Sequence, residues 1–305
     1  MPLPFKHLTS TKQLTRSDTD QLLKVSGDME NILKDGGSDL LKGKILASLF
    51  YEPSTRTRLS FEAAMLRLGG NVLTAEGLQF SSLYKGETIE DTMLMVSQYA
   101  DIIAMRHPEA GSADQAASAA LIPFINAGDG PGQHPTQALL DLYTIQKERG
   151  KIDGITIAMV GDLKYGRTVH SLCYLLGLYK DIKFIFIAPP ELPMPEKVTS
   201  YLDERKFQYT AKESIEDGVD ADIMYVTRVQ KERFTNQADY ERLKLRYILK
   251  ADQLKGKKVT IMHPLPRVGE IATDVDALPN AAYFRQAANG VPMRMALLAM
   301  LLGKA

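Results

Sequence analysis

Short apolar runs, each ending in a polar turn that opens a stretch of helical rhythm, recur along the whole 305-residue sequence. Ile45 to Phe50 reads as a strand and 55–68 as the helix after it. Asn71-Val72-Leu73 is a strand, 87–99 a helix, 100–106 a strand, 111–120 a short helix and 122–128 a strand. "PTQALLDLYTIQKERG", 135–150, is a helix with Pro135 at its first position and Gly150 after its end, where a fixed φ and a glycine are favoured. The series then restarts. "GITIAMVGD" is an apolar strand, "RTVHSLCYLLGLY" a helix, "IKFIFIAP" a strand and "PEKVTSYLDERK" a helix. "ADIMYVTR" and "KKVTIMHPLP" are strands, and "VPMRMALLAMLLG" is an apolar helix. Near the start, Leu14, Leu22, Leu23, Val25, Met29 and Ile32 give residues 11–34 a helical rhythm, with Thr15 or Ser17 as its cap.

Strands that alternate with helices imply parallel sheets covered on both faces. The renewed series predicts an α/β protein of two doubly wound parallel-sheet domains joined by bridging helices. The first domain spans 1–134, with the last helix, 291–305, packing back on it; the second spans 135–290.

Composition narrows the function. Lys plus Arg and Asp plus Glu each number 37, so the net charge is zero. A sequence-independent nucleic-acid binder needs a basic surplus, so any cationic site here is local and no nucleic-acid partner is expected. No run approaches the roughly 18 apolar residues of a membrane span, and "MPLPFKHLTS" lacks the order of a signal peptide. The single cysteine, Cys173, lies in an apolar helical run and reads as a buried thiol. One cysteine and five scattered histidines make no zinc pattern. A cytoplasmic protein without metal or cofactor is expected.

"FYEPSTRTRLSF", 50–61, crowds Ser54, Thr55, Arg56, Thr57 and Arg58 into one strand-to-helix turn. Such a turn offers unpaired N–H groups and the positive end of a helix dipole to an anion. An ordinary capped helix with surface arginines is the alternative. Arg56 and Arg58 are two apart and face different ways on a helix. One of them is expected at the ligand and the other on a carboxylate such as Glu52 or Glu62.

"NAGDGPGQHPTQALLDL", 126–142, again leads a strand through a glycine-rich loop to a helix start, flanked by His134 and Gln137. The dipole there disfavours imidazolium, so a neutral His134 can donate to a carbonyl oxygen. A loop histidine satisfied by backbone is the plainer reading. "GDLKYGRTVHSL", 161–172, comes close to a Walker A loop, but Arg167 stands where that loop needs lysine. Arg228, Gln230 and Arg233 follow one strand, and "MHPLPR", 262–267, ends another. Prolines there remove donors and leave carbonyls free to accept. All five stretches sit at the carboxyl ends of strands, where open parallel sheets bind ligands.

Seven motifs in series, "FYEPSTRTRLSFE", "KGET", "MRHPE", "NAGDG…QHPTQALLDL", "GDLKYGRTVHSL", "YVTRVQKERF" and "HPLPR…EI", resemble the aspartate carbamoyltransferase family of catalytic chains over nearly the whole length. The resemblance implies transfer of the carbamoyl group of carbamoyl phosphate to the amine of L-aspartate, in de novo pyrimidine synthesis. It makes 1–134 the carbamoyl-phosphate-binding domain and 135–290 the aspartate-binding domain. It implies Ser54, Thr55, Arg56, Thr57 and Arg106 on the phosphate, and His134 with Thr55 on the carbamoyl carbonyl. Gln137 and the carbonyls of Leu265 and Pro266 accept from the carbamoyl amide, with a cis bond before Pro266. Lys85, Arg167, Arg228 and Gln230, with Leu265 and Pro266, take the aspartate. In the family the loop of Lys85 reaches a neighbouring subunit's site in a homotrimer with shared active sites. A loop serine contacts the phosphate, and of the adjacent Ser81 and Ser82 it is Ser82 that is assigned this role. The likeness to the bacterial form also implies zinc-containing regulatory chains in a dodecamer.

The nearest alternative is an ornithine or another amino-acid carbamoyltransferase. Ornithine's second amine asks for carboxylates, and ornithine enzymes carry a cysteine beside the late-motif histidine, where this chain has Pro264. A P-loop-like nucleotide-binding protein is the alternative from another class. It needs a Walker A lysine and a magnesium carboxylate, and the sequence shows no such pair.

Overall fold

The computed structural model describes residues 3–77, 82–230, 236–244 and 246–305. It divides into two compact units, Met1–Tyr143 with Asn289–Ala305, and Thr144–Ala288.

In the first unit, strands β1 (His7–Leu8), β2 (Ile45–Phe50), β3 (Asn71–Glu76), β4 (Ile102–His107) and β5 (Phe124–Asp129) form one sheet in the order β1-β5-β4-β2-β3. Every pairing is parallel. The helices are α1 (Arg16–Lys34), α2 (Thr55–Arg67), α3 (Ile89–Val96), α4 (Ser112–Ala119) and α5 (Pro135–Arg149), which runs on past Tyr143. The last helix of the chain, α10 (Gly290–Leu301), belongs here too and packs on α1 and α2. Its length is buried almost throughout, which suits its all-round apolar sequence.

In the second unit, β6 (Thr156–Val160), β7 (Lys183–Ile187), β8 (Gln208–Lys212), β9 (Ile223–Val226) and β10 (Thr260–Met262) form a second parallel sheet in the order β10-β9-β6-β7-β8. Its helices are α6 (Arg167–Leu176), α7 (Glu196–Glu204), α8 (Gln237–Leu243) and α9 (Tyr283–Ala288). The two-domain α/β class expected from the sequence is therefore observed, with five parallel strands in each sheet. The division between the units falls inside α5, between Tyr143 and Thr144. Among the described residues no helix is long and apolar enough to cross a membrane.

Local chemistry explains the element starts. Of the two cap candidates for α1 it is Thr15 that caps: its hydroxyl accepts from the Asp18 N–H at 3.2 Å, and Asp18 Oδ2 accepts from the Thr15 N–H at 2.8 Å. Residues Thr11–Gln13 form a separate 3-10 turn under Ser10 rather than the first turn of that helix. Thr88 caps α3 in the same manner, accepting from the Asp91 N–H at 3.0 Å.

Both sheets reverse direction at their centre. From β2 the chain moves outward to β3 and then crosses to β4 on the other side; from β6 it moves out through β7 and β8, then crosses to β9. The loops leaving β2 and β4, and those leaving β6 and β9, therefore diverge and open a crevice at each sheet's carboxyl edge.

Candidate active site

The β2–α2 turn sits at the first of these crevices. Ser54 occupies the N-cap of α2, yet its side chain makes no capping hydrogen bond. The first intrahelical donor is the Arg58 N–H, to the Ser54 carbonyl at 3.1 Å. The N–H groups of Thr55, Arg56 and Thr57 thus precede the helical ladder, and no acid lies in the first turn to meet them. Thr55 and Arg56 are exposed and Thr57 is buried. An ordinary cap would have consumed the serine hydroxyl; here hydroxyl, N–H groups and dipole remain together for an anion.

Arg58 is a correction to the sequence expectation. It pairs with Glu76 at 2.6 Å, not with Glu52 or Glu62. The β2–β3 ladder brings Glu76 opposite Phe50. Glu62 instead accepts from Ser48 and Thr74, both at 3.0 Å. Glu52 is taken by Arg106 at 2.7 Å.

Arg106 reaches the turn through the sheet. It is the register partner of Phe50 on β2, and its carbonyl accepts from the Tyr51 N–H at 2.9 Å. Its side chain is 12% exposed. Burial lowers its pKa while Glu52 opposes the shift. Among the described residues its buried Nε has no hydrogen-bond partner. A guanidinium already desolvated and only partly paired has donors left for a further anion.

His134 and Gln137 come from the neighbouring strand. The last residue of β5, Asp129, organises the glycine-rich loop, accepting from Gln133 N–H at 2.6 Å, Gly111 N–H at 3.0 Å and Asn126 Nδ2 at 3.1 Å. Gly130, at φ 48°, is required: a Cβ there would lie 2.0 Å from the Pro108 carbonyl oxygen. The loop delivers His134, 4% exposed, to the residue before α5, where its carbonyl accepts from the N–H groups of Gln137 and Ala138. Gln137 donates through Nε2 to Asp141 at 2.8 Å, which leaves its Oε1 as an acceptor. Asp141 is fully buried and was not singled out in the sequence, because nothing local marks it as different from a solvated helix carboxylate. The order β5-β4-β2 thus brings the α2 turn, Arg106, His134 and Gln137 to one edge of one sheet.

The second unit repeats the device with cations of its own. Arg167 is the first residue of α6, after a Gly166 N-cap, and no acid lies in that first turn. A cation at the positive end of a helix dipole is unfavourable on its own, so its placement suits an anionic partner. Arg228 and Gln230 follow β9, which pairs directly with β6. Buried Asp162 ties the two loops together, accepting from Tyr165 N–H at 2.9 Å and Gln230 N–H at 3.3 Å. His170 pins the loop from below through Nε2 to the Leu163 carbonyl at 2.6 Å, and burial drops its pKa to about 4, so it stays neutral. Arg167 and Arg228 are both half-buried.

After β10 the chain turns through a cis bond between Leu265 and Pro266, with Leu265 at φ 56°. Among the described residues the carbonyls of Leu265 and Pro266 accept no hydrogen bond. The adjacent Arg267 is held by Asp276 and lies over the Tyr283 ring, 5.3 Å from its centroid. Lys85 is exposed at the end of a 3-10 turn, Ser82–Lys85. Ser81, the side chain of Ser82 and Arg233 lie outside the described residues.

Comparison with known proteins supplies the family. Residues 6–147 match the family described as aspartate/ornithine carbamoyltransferase, carbamoyl-P binding domain, and residues 153–301 match its Asp/Orn binding domain. The aspartate carbamoyltransferase catalytic subunit of Methanocaldococcus jannaschii is 52% identical over 300 residues, covering 98% of both chains. The chloroplastic enzyme of Arabidopsis thaliana is 54% identical over 297 residues, 95% of this chain and 76% of its own. Among solved structures, the M. jannaschii catalytic subunit superposes with a TM-score of 0.93 at 51% identity over 98% of both chains. Aspartate transcarbamoylase from Trypanosoma cruzi, in complex with carbamoyl phosphate and aspartate, gives 0.90 at 41% identity, covering 96% of this chain and 95% of that one. Matched through both units in this way, the chain belongs to the aspartate/ornithine carbamoyltransferase family, among its aspartate carbamoyltransferase catalytic chains.

Proposed function

We propose that this chain transfers the carbamoyl group of carbamoyl phosphate to the amine of L-aspartate, giving N-carbamoyl-L-aspartate and phosphate in de novo pyrimidine synthesis. The first unit binds carbamoyl phosphate and the second binds aspartate. Ser54, Thr55, Arg56 and Thr57 hold the phosphate with their hydroxyls, the guanidinium and the helix N–H groups, and Arg106 adds its free donors. His134 and Thr55 polarise the carbamoyl carbonyl. Gln137 Oε1 and the carbonyls of Leu265 and Pro266 accept from the carbamoyl amide. The aspartate amine attacks the carbonyl carbon, and the bond from that carbon to the phosphate oxygen breaks. The protein forms no covalent bond; positioning and charge stabilisation carry the rate.

Aspartate over ornithine follows from Arg167 and Arg228, with Gln230 beside them. Two guanidinium groups at the crevice of one sheet suit a dicarboxylate, and a second amine would meet like charge. The observation that carries the reading is the β2–β4 register that sets Arg106 beside the uncapped start of α2.

Lys85 and Ser82 complete the assignment from a neighbouring copy in a homotrimer, a role supported by the exposure of Lys85. Relatives carry the name catalytic subunit, which supports assembly with chains of a second kind; zinc-containing regulatory chains in a dodecamer are that assembly. Cys173, buried and unbridged, suits the reducing cytoplasm. Colorimetric detection of carbamoyl aspartate, with ornithine run in parallel, tests the reaction. Turnover with aspartate and none with ornithine is expected; equal or better turnover of ornithine overturns it.

A further inference from the structure

The turn that follows β10 is held from behind by two buried side chains that no step of the reaction uses. His263 is 1% exposed and Glu270 is 5% exposed. The Leu265 N–H donates to His263 Nδ1 at 2.7 Å, and His263 Nε2 lies 2.7 Å from Glu270 Oε1. The other carboxylate oxygen, Oε2, accepts from the Val268 N–H at 2.9 Å. The His263 N–H donates to Gln286 Oε1 at 2.8 Å, which anchors the start of the turn to α9.

These bonds leave one arrangement of protons. Nδ1 faces a backbone N–H, so it carries no hydrogen; Nε2 then carries it and donates to the carboxylate. Glu270 has both oxygens engaged, one on the imidazole and one on the backbone after Pro266. The chain between these two anchors contains Leu265 at φ 56°, a value that a branched side chain rarely adopts. Among the described residues the Leu265 and Val268 N–H groups are pinned, while the Leu265 and Pro266 carbonyls accept no hydrogen bond.

We infer that His263 and Glu270 are positioning residues for the carbamoyl amide: the carboxylate fixes the Nε2–H tautomer, and Nδ1 then clamps the Leu265 N–H so that the carbonyls of Leu265 and Pro266 stay available to the substrate. The inference rests on the carbamoyltransferase reading and extends it to residues that touch neither substrate.

Two conservative substitutions separate the roles of the two ring nitrogens. In His263→Asn the side-chain oxygen stands near the place of Nδ1 and keeps an acceptor for Leu265, while contact with Glu270 is lost. In His263→Gln the amide reaches the place of Nε2 and keeps a donor to Glu270, while the acceptor for Leu265 is lost. The dissociation constants of carbamoyl phosphate and of inorganic phosphate are measured for wild type and both variants.

His263→Gln is expected to weaken carbamoyl phosphate by about tenfold or more, with inorganic phosphate unchanged, and His263→Asn to recover most of the loss. Equal losses in both variants, or equal losses for both ligands, assign the pair to stability alone and overturn the inference. Should neither variant fold, the ¹⁵N shifts of His263 in the wild type decide: an unprotonated Nδ1 with a protonated Nε2 supports it, and a proton on Nδ1 overturns it. A wild type that binds inorganic phosphate but not carbamoyl phosphate would instead sink the carbamoyltransferase reading beneath it.

Discussion

Arg56 is the exposed cation at the uncapped start of α2, and the proposal gives it the leaving phosphate. A preorganised charged donor of this kind contributes roughly 2.7–4 kcal/mol to the transition state, so Arg56→Ala is expected to lower kcat about 10²- to 10³-fold with the fold intact. A folded variant within about threefold of wild type would return Arg56 to an ordinary surface charge. Gln137 depends on a less visible partner. Its amide is fixed by Asp141, and the charge of that same carboxylate acts on buried Arg294 of α10. Arg294 is 2% exposed, donates to the Gly290 carbonyl at 3.1 Å and lies over Phe61, and burial pulls its pKa down to about 9 against the pull of Asp141. Asp141→Asn removes the charge but keeps the shape. It should lower kcat/KM for carbamoyl phosphate about tenfold. Unfolding by urea should show a loss of roughly 3–5 kcal/mol, the usual result of stranding a buried charge. Unchanged kinetics and stability would show that the amide of Gln137 needs no such support.

At the scale of the element, the turn from Met262 to Glu270 makes a pH-dependent contribution. Burial alone would raise the Glu270 pKa, but the hydrogen bonds that it accepts from the His263 ring and the Val268 N–H bring it below the ordinary value. A group with a lowered folded pKa stabilises the protein above its unfolded value, and that stabilisation disappears as pH falls through the folded value. The difference in urea midpoint between wild type and Glu270→Gln should therefore be widest at neutral pH and close below about pH 4. A difference that holds constant into acid would mean that the charge of Glu270 contributes nothing. Elements of this kind were unequally legible in the sequence. The strands β2 and β6 announce themselves because both faces are buried, so "ILASLF" and "TIAMV" are apolar except at Ser48 and Thr156. The edge strand β8, "QYTAK", is mostly exposed and carries no such run, and β1 is only two residues long. The donors of the α2 turn were legible because they are adjacent in the chain. Carboxylate partners were not: Glu76 meets Arg58 through a sheet ladder, and Glu270 meets His263 around a turn. Pairings of that sort are set by topology, and neither periodicity nor spacing records them.

The whole molecule adds a demand that no single chain meets if Lys85 works in a neighbour's site. Lys85→Ala and His134→Ala trimers should each be nearly inactive. Refolded together, they should recover activity, because some interfaces then join an intact His134 to an intact Lys85 from the next chain. Hybrid trimers confirmed on native gels but still inactive would place Lys85 in its own chain's site or outside catalysis. One feature of the fold acts before any assembly. The first unit is closed by α10, whose Met293 sulfur meets the Ser26 hydroxyl of α1 at 3.6 Å, yet α10 follows the whole second unit in the chain. During synthesis the apolar faces of α1 and α2 therefore emerge long before the helix that covers them. The second unit is complete in sequence by Ala288 and can close while the first still waits. The order of translation is thus the reverse of the order of completion, and the interval between them is when a nascent chain of this design most needs a chaperone.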